Sequence, residues 1–201
     1  MAGPIGETTS SPRYTLALGG IIRQPSDSLA NPYGNDSVEI KGHLKEKAAS
    51  TPEFGGYGEF NLTFPSGFGV GYRVGVLATP STDKIMFGQR GDVVIESRDA
   101  VVENSCLFSW TPVGSTPGSF FSFRLGAGPT VASILSSTTH FKSDGNTTES
   151  SSFQHRVGAS TGVDMNIQLL NSVGLMIGGS ATFFGSAGTM LGAHAGLSLD
   201  L

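Results

Sequence analysis

The feature that most constrains this chain is a side-chain alternation of period two, sustained from residue 153 to 169. Phe153, His155, Val157, Ala159, Thr161, Val163, Met165, Ile167 and Leu169 fall on one face. Gln154, Arg156, Gly158, Ser160, Gly162, Asp164, Asn166 and Gln168 fall on the other. A helix repeats every 3.6 residues and cannot sort side chains this way; a strand turns successive side chains to opposite faces. After a break at Leu170-Asn171-Ser172 the pattern resumes with Val173, Leu175, Ile177, Gly179, Ala181 and Phe183 on one side. It returns once more with Leu191, Ala193, Ala195, Leu197, Leu199 and Leu201, opposed by Gly192, His194, Gly196, Ser198 and Asp200.

The same logic predicts a hairpin in the first half. Gly58, Phe60, Leu62 and Phe64 oppose Tyr57, Glu59, Asn61 and Thr63, and Pro65-Ser66-Gly67 is turn chemistry. Phe68, Val70, Tyr72, Val74, Val76 and Ala78 then alternate with Gly69, Gly71, Arg73 and Gly75. If Phe64 pairs with Phe68, Phe60 faces Tyr72 and Glu59 faces Arg73, a favourable cross-strand charge pair. Further strands are expected at 14–22, 98–111 and 119–135, with the register of 92–105 open. That makes an all-β chain of eight antiparallel strands joined by hairpins.

The expected connections alternate in length. Short ones fall at 65–67, 112–118 and 170–172; of the other four, three are long, near 24–53, 80–92 and 136–152, and the fourth, 185–189, is short but flexible. Both termini then lie on a short-turn side, the asymmetry of a transmembrane barrel with short periplasmic turns and longer extracellular loops. The expected organisation is a flexible segment at 1–12 and one barrel domain at 13–201. Residues 1–12 hold no leader-like apolar stretch, and the barrel pattern favours a mature chain whose leader has been replaced by a start Met.

Alternation does not say which face is inside, and here composition decides. Charged residues are 14% of the chain, against roughly 25% in soluble domains. The polar face is mostly Gly and Ser with isolated charges, whereas a soluble barrel would show water a surface rich in Lys and Glu. Small residues and a few opposite charges suit the lumen of an eight-stranded barrel, which side chains just fill. Aromatic residues fall near strand ends as in two interfacial girdles: Phe64, Phe68, Trp110, Phe120 and Phe121 by the short turns, Phe54, Phe87, Phe153 and Phe184 by the loops. The net charge of −4 gives no footprint for nucleic acid, and one Cys excludes an internal disulfide framework. The alternative is a soluble lipocalin-like binding barrel with the apolar face inside.

Across 13–201 the chain resembles the small outer-membrane barrels of Gram-negative bacteria, the group of the OmpA transmembrane domain, OmpX/Ail and OmpW. The run Phe123-Arg124-Leu125-Gly126-Ala127-Gly128-Pro129 is similar to strands of such proteins. Members usually end in an aromatic residue, whereas this chain ends in Leu201, which keeps the outward apolar phase. The resemblance implies a location in the bacterial outer membrane, with outer-membrane lipid and lipopolysaccharide as partners. It also implies that a host or envelope protein meets the long loops.

The lumen charges expected from parity are Glu59, Arg73, Glu103, Arg124, Arg156, Asp164, His194 and Asp200. Buried charges must be paired, so they are expected to form an ion-pair network that fills the barrel. Arg90-Gly91-Asp92, in an expected external loop, is a weak candidate adhesion site similar to the integrin-binding tripeptide. Lipid A deacylases on this scaffold use a His and a Ser two residues apart on the outer face. Here His155 is followed by Val157, His194 and Ser198 lie on the lumen side, and His43 and His140 fall in loops. No enzyme, cofactor or metal site is therefore expected. The reading is a non-enzymatic surface barrel, porin-like in architecture. Its loops serve adhesion, partner or lipopolysaccharide interaction and envelope integrity. The alternatives are a narrow channel for small or apolar solutes and a lipid A-modifying enzyme.

Overall fold

The computed structural model describes residues 11–25, 52–78, 82–88, 91–116, 118–141 and 146–201, with the backbone alone at 82–88, 91–99, 136–141, 147–150 and 187. The strands are β1 (Arg13–Pro25), β2 (Glu53–Thr63), β3 (Phe68–Ala78), β4 (Thr82–Gly88), β5 (Gly91–Val113), β6 (Phe121–Phe141), β7 (Thr147–Gln168), β8 (Val173–Phe183) and β9 (Thr189–Asp200). Every pairing is antiparallel, and the sheet closes because β3 also pairs with β5. β4 continues β3: Ala78 faces Ala100 and Thr82 faces Ser97, so both share β5 as neighbour. The result is an eight-stave up-and-down barrel. Closure satisfies the backbone within the sheet, the condition for strands to cross a bilayer. No helix among the described residues is long and apolar enough to do so.

The hairpin register follows the turn. The Phe64 N–H donates to the Phe68 carbonyl at 2.7 Å, Phe60 faces Tyr72 and Glu59 faces Arg73. On the described staves the apolar parity points outward. Leu18, Phe68, Val76, Phe108, Val157 and Leu197 are each more than half exposed, while Glu59, Arg73, Glu103, Asp164 and His194 are buried inside. Continuous apolar surface of this kind marks contact with lipid or a partner. A soluble barrel needs the opposite face inside, and with it the lipocalin-like alternative falls. The single cysteine, Cys106, is also outward and exposed.

Three expectations are corrected. The stretch 80–92 is mainly strand, because Thr82–Gly88 pairs with Gly91–Ser97 as a hairpin. The stretch 136–152 is likewise strand at both ends, with β6 and β7 paired up to Phe141 and Thr147. Phe184 belongs to no girdle: it turns inward, 6% exposed, and is one of the buried apolar residues of the interior, while Phe183 takes the outward place. Residues 1–10, 26–51, 89 and 90 lie outside the described residues, and with them most of the 1–12 and 24–53 segments and Arg90.

The staves rise to unequal heights. β8 and β9 are joined by a short 3₁₀ turn at Gly185–Ala187. β7 meets β8 only from Ala159 downward, so among the described residues Thr147–Gly158 pairs with β6 alone. β4, β5, β6 and β7 therefore form a sheet that projects beyond the β8–β9 hairpin.

Candidate functional site

Inside the barrel the charges form three tiers. The middle tier is built on two adjacent-strand pairs, Glu59 opposite Arg73 and Arg124 opposite Asp164. Arg73 binds Glu59 at 2.6 Å and reaches Asp164 at 3.3 Å; Arg124 binds Asp164 at 2.5 Å and also pairs with Glu59. Two carboxylates thus face two guanidiniums, a neutral and multiply bonded set of the kind a low-dielectric interior tolerates. His194 Nε2 lies 2.7 Å from Asp164 Oδ1, and Tyr57 packs edge-on against the imidazole at 5.0 Å between ring centroids.

Asp164 and His194 are on β7 and β9, with β8 between them. The residue of β8 that faces both is Gly178. A Cβ there would lie 2.3 Å from Asp164 Oδ1, 2.5 Å from His194 Nε2 and 2.6 Å from the backbone oxygen of Val163. The missing side chain lets the two polar groups meet across an intervening strand. Gly178→Ala is expected to cost about 1–3 kcal/mol by overpacking, read as a lower urea midpoint in lipid vesicles. An unchanged midpoint would show that the contact is not needed.

The upper tier uses the same device. Arg23 crosses over Gly192, which faces it on β9, to reach Ser180 at 2.5 Å, and it binds Glu103 at 2.9 Å. A Cβ at Gly192 would lie 2.6 Å from the Arg23 side chain. Thr182 and Ser105 donate to Glu103 at 3.3 and 3.4 Å. The lower tier closes the short-turn end: Arg13 holds Asp200 bidentately at 3.0 and 2.7 Å and donates to the Gly114 carbonyl at 2.9 Å.

The eight parity-picked residues therefore do not make one network. Glu59, Arg73, Arg124, Asp164 and His194 come together, Glu103 and Asp200 each join an arginine outside that set, and Arg156 belongs to no tier. Arg13 and Arg23 were missed by the sequence reading. Both continue the inward parity of Ala17 and Ile21, so extending the first strand by one residue at either end would have found them. Cavities of about 10 and 30 Å³ flank the middle tier, lined by Arg73, Arg124 and Asp164 among others. Each has room for little more than a water molecule.

Among solved structures the chain is similar to Ail, the attachment invasion locus protein of Yersinia pestis, in complex with the heparin analogue sucrose octasulfate. The TM-score is 0.51 at 8% identity, covering 95% of this chain and 99% of that one. It is also similar to Neisserial surface protein A, with a TM-score of 0.52 at 13% identity over 94% and 97% of the two chains. The fold is that of the small outer-membrane barrels. No protein-family model matches the sequence, and no curated protein matches it. At such identities the likeness speaks for the architecture, and the site must be argued from this chain's own residues.

Two further places follow from that architecture. Gly91 and Asp92 sit at the end of the β4–β5 hairpin, paired with Gly88 and Phe87, at the far end of β5 from the short turns. On the outer wall, Ser133 of β6 faces His155 of β7, with Ser133 Oγ 3.0 Å from His155 Nδ1. Spacing along one strand shows a His and a Ser two residues apart but not a pair formed between two strands.

Proposed function

We propose that the chain is an integral barrel of a bacterial outer membrane that works as a surface protein, through the sheet that rises above its β8–β9 hairpin rather than through its lumen. The observation that carries this reading is the combination of a lumen crossed by three tiers of paired charges with a projecting sheet. That sheet ends in an edge, Thr147–Gly158, with no β8 neighbour. Such an edge offers backbone donors and acceptors to an extended segment of a partner, and loop residues add selectivity. Host or envelope proteins and lipopolysaccharide are the partners this arrangement fits. The binding of a heparin analogue by Ail supports a role for this architecture in contacts at the cell surface. The Gly91–Asp92 hairpin end is a second contact point on the same side.

The test is to replace residues 136–152 with a two-residue Asn-Gly turn joining Leu135 to Phe153. Bacteria displaying the trimmed barrel should bind cultured host cells, or lipopolysaccharide-coated surfaces, at background level, while the protein keeps its heat-resistant barrel. Binding equal to that of the full chain would overturn the reading. The channel alternative is read in the same material. In planar bilayers the intact barrel should conduct at background, because paired charges cross the lumen at three heights and the voids beside the middle tier are of water size. Stepwise conductance that changes with Arg73→Ala or Arg124→Ala would favour passage of small solutes instead.

A further inference from the structure

We propose that Ser133 and His155 form a nucleophile–base pair on the outer wall that cleaves carboxylic esters of membrane lipids. His155 is an outward imidazole that faces a serine hydroxyl across two strands, a juxtaposition of base and nucleophile. It faces outward between two rows of apolar pairs, Val131 with Val157 below and Leu135 with Phe153 above. Its polar partner in that setting is the hydroxyl of Ser133, 3.0 Å away. Phe153 lies edge-on to the imidazole at 4.7 Å and an interplanar angle of 86°, which holds the ring against the serine. Another outward polar pair, Tyr72 and Asn104, contains neither an aliphatic hydroxyl nor a base.

Height on the barrel sets the substrate class. From the girdle row of Phe121 and Ile167 to His155 the strand climbs twelve residues. At about 3.3 Å per residue and a tilt of about 45° that is roughly 28 Å, against an apolar band of about 25 Å. The pair therefore sits at the outer boundary of the hydrocarbon, where ester linkages join acyl chains to the headgroup.

The chemistry is acyl transfer to water. With Nε2 protonated, His155 Nδ1 accepts the Ser133 proton while Oγ forms a bond to the ester carbonyl carbon. Collapse breaks the carbon–alkoxy bond, and the departing alkoxide takes that proton from His155. Water then attacks the acyl-serine. His155 takes a proton from the water and passes it to Ser133 Oγ, which leaves free fatty acid.

The experiment uses the refolded full chain in vesicles of phosphatidylethanolamine and phosphatidylglycerol, with and without lipopolysaccharide. It measures fatty acid release and, separately, covalent labelling by a lipophilic fluorophosphonate. The expected result is release together with a mass adduct on the Ser133 peptide. Ser133→Ala should abolish both, and His155→Phe, which keeps the apolar row, should lower both about 100-fold or more. Ser172→Ala, in the short turn at the other end of the barrel, should change neither. Release from the plain vesicles assigns phospholipid as acyl donor, and release only with lipopolysaccharide assigns the glycolipid. No adduct and no release in either vesicle, or activity that survives in Ser133→Ala, would overturn the proposal. Heat-resistant migration of each variant shows that loss of activity is not loss of fold.

Discussion

Asp164→Ala is expected to destabilise the barrel by about 3–5 kcal/mol, the cost of removing one partner from a buried ion-pair set. Asp164 meets three ionisable side chains in the lumen: Arg124 lies at 2.5 Å, His194 at 2.7 Å and Arg73 at 3.3 Å. Without it two guanidiniums share Glu59 alone, and the tier carries an uncompensated positive charge away from bulk water. The measurement is urea unfolding in lipid vesicles, with the midpoint compared at constant slope. Removing the surplus cation as well, in Asp164→Ala with Arg124→Met, should recover part of the loss, since the desolvated charge goes with it. A cost below about 1 kcal/mol, typical of exposed pairs, would mean that water reaches the tier and that the lumen is open.

The second large effect concerns the outer wall. Leu197 points outward at mid-height, between Leu18 and Leu175, and is 57% exposed. Leu197→Arg is expected to cost about 2–4 kcal/mol, because the charge must enter the hydrocarbon midplane, whereas Phe153→Arg, at the rim, should cost less than about 1 kcal/mol. The same urea titration in vesicles reads both. If the wall faced water, both positions would be ordinary exposed sites and neither arginine would matter. The contrast between the two heights therefore measures the depth at which the barrel sits.

What the sequence revealed, and what it hid, follows from how far each contact reaches along the chain. Glu59 opposite Arg73 could be derived because Pro65-Ser66-Gly67 fixes the register of a hairpin only a few residues long. The Arg124–Asp164 pair needed the register of β6 and β7, whose joining turn lies many residues above. The Asp164–His194 contact depended on a glycine in a third strand, and no pairwise reading of polar residues shows where a missing side chain opens a path. The strands within 80–92 and 136–152 are hidden in the sequence for a related reason. Above the membrane both faces of a strand meet water, so Ser136, Ser137, Thr138 and Thr139 carry no apolar alternation although the backbone ladder continues. The Phe183-Phe184 doublet misled in another way, since adjacent strand residues must point to opposite faces and one aromatic had to turn inward.

The central claim is that the apolar face points outward into lipid, and one measurement tests it most directly. The denatured chain is refolded with and without detergent micelles, and its far-UV circular dichroism is recorded together with its resistance to heat on a gel. The structure predicts strong sheet signal and a heat-resistant species in micelles, with aggregation or disorder in plain buffer. A stable, monodisperse sheet in plain buffer would contradict it, because the exposed leucines, valines and phenylalanines of the wall would then have to form a core.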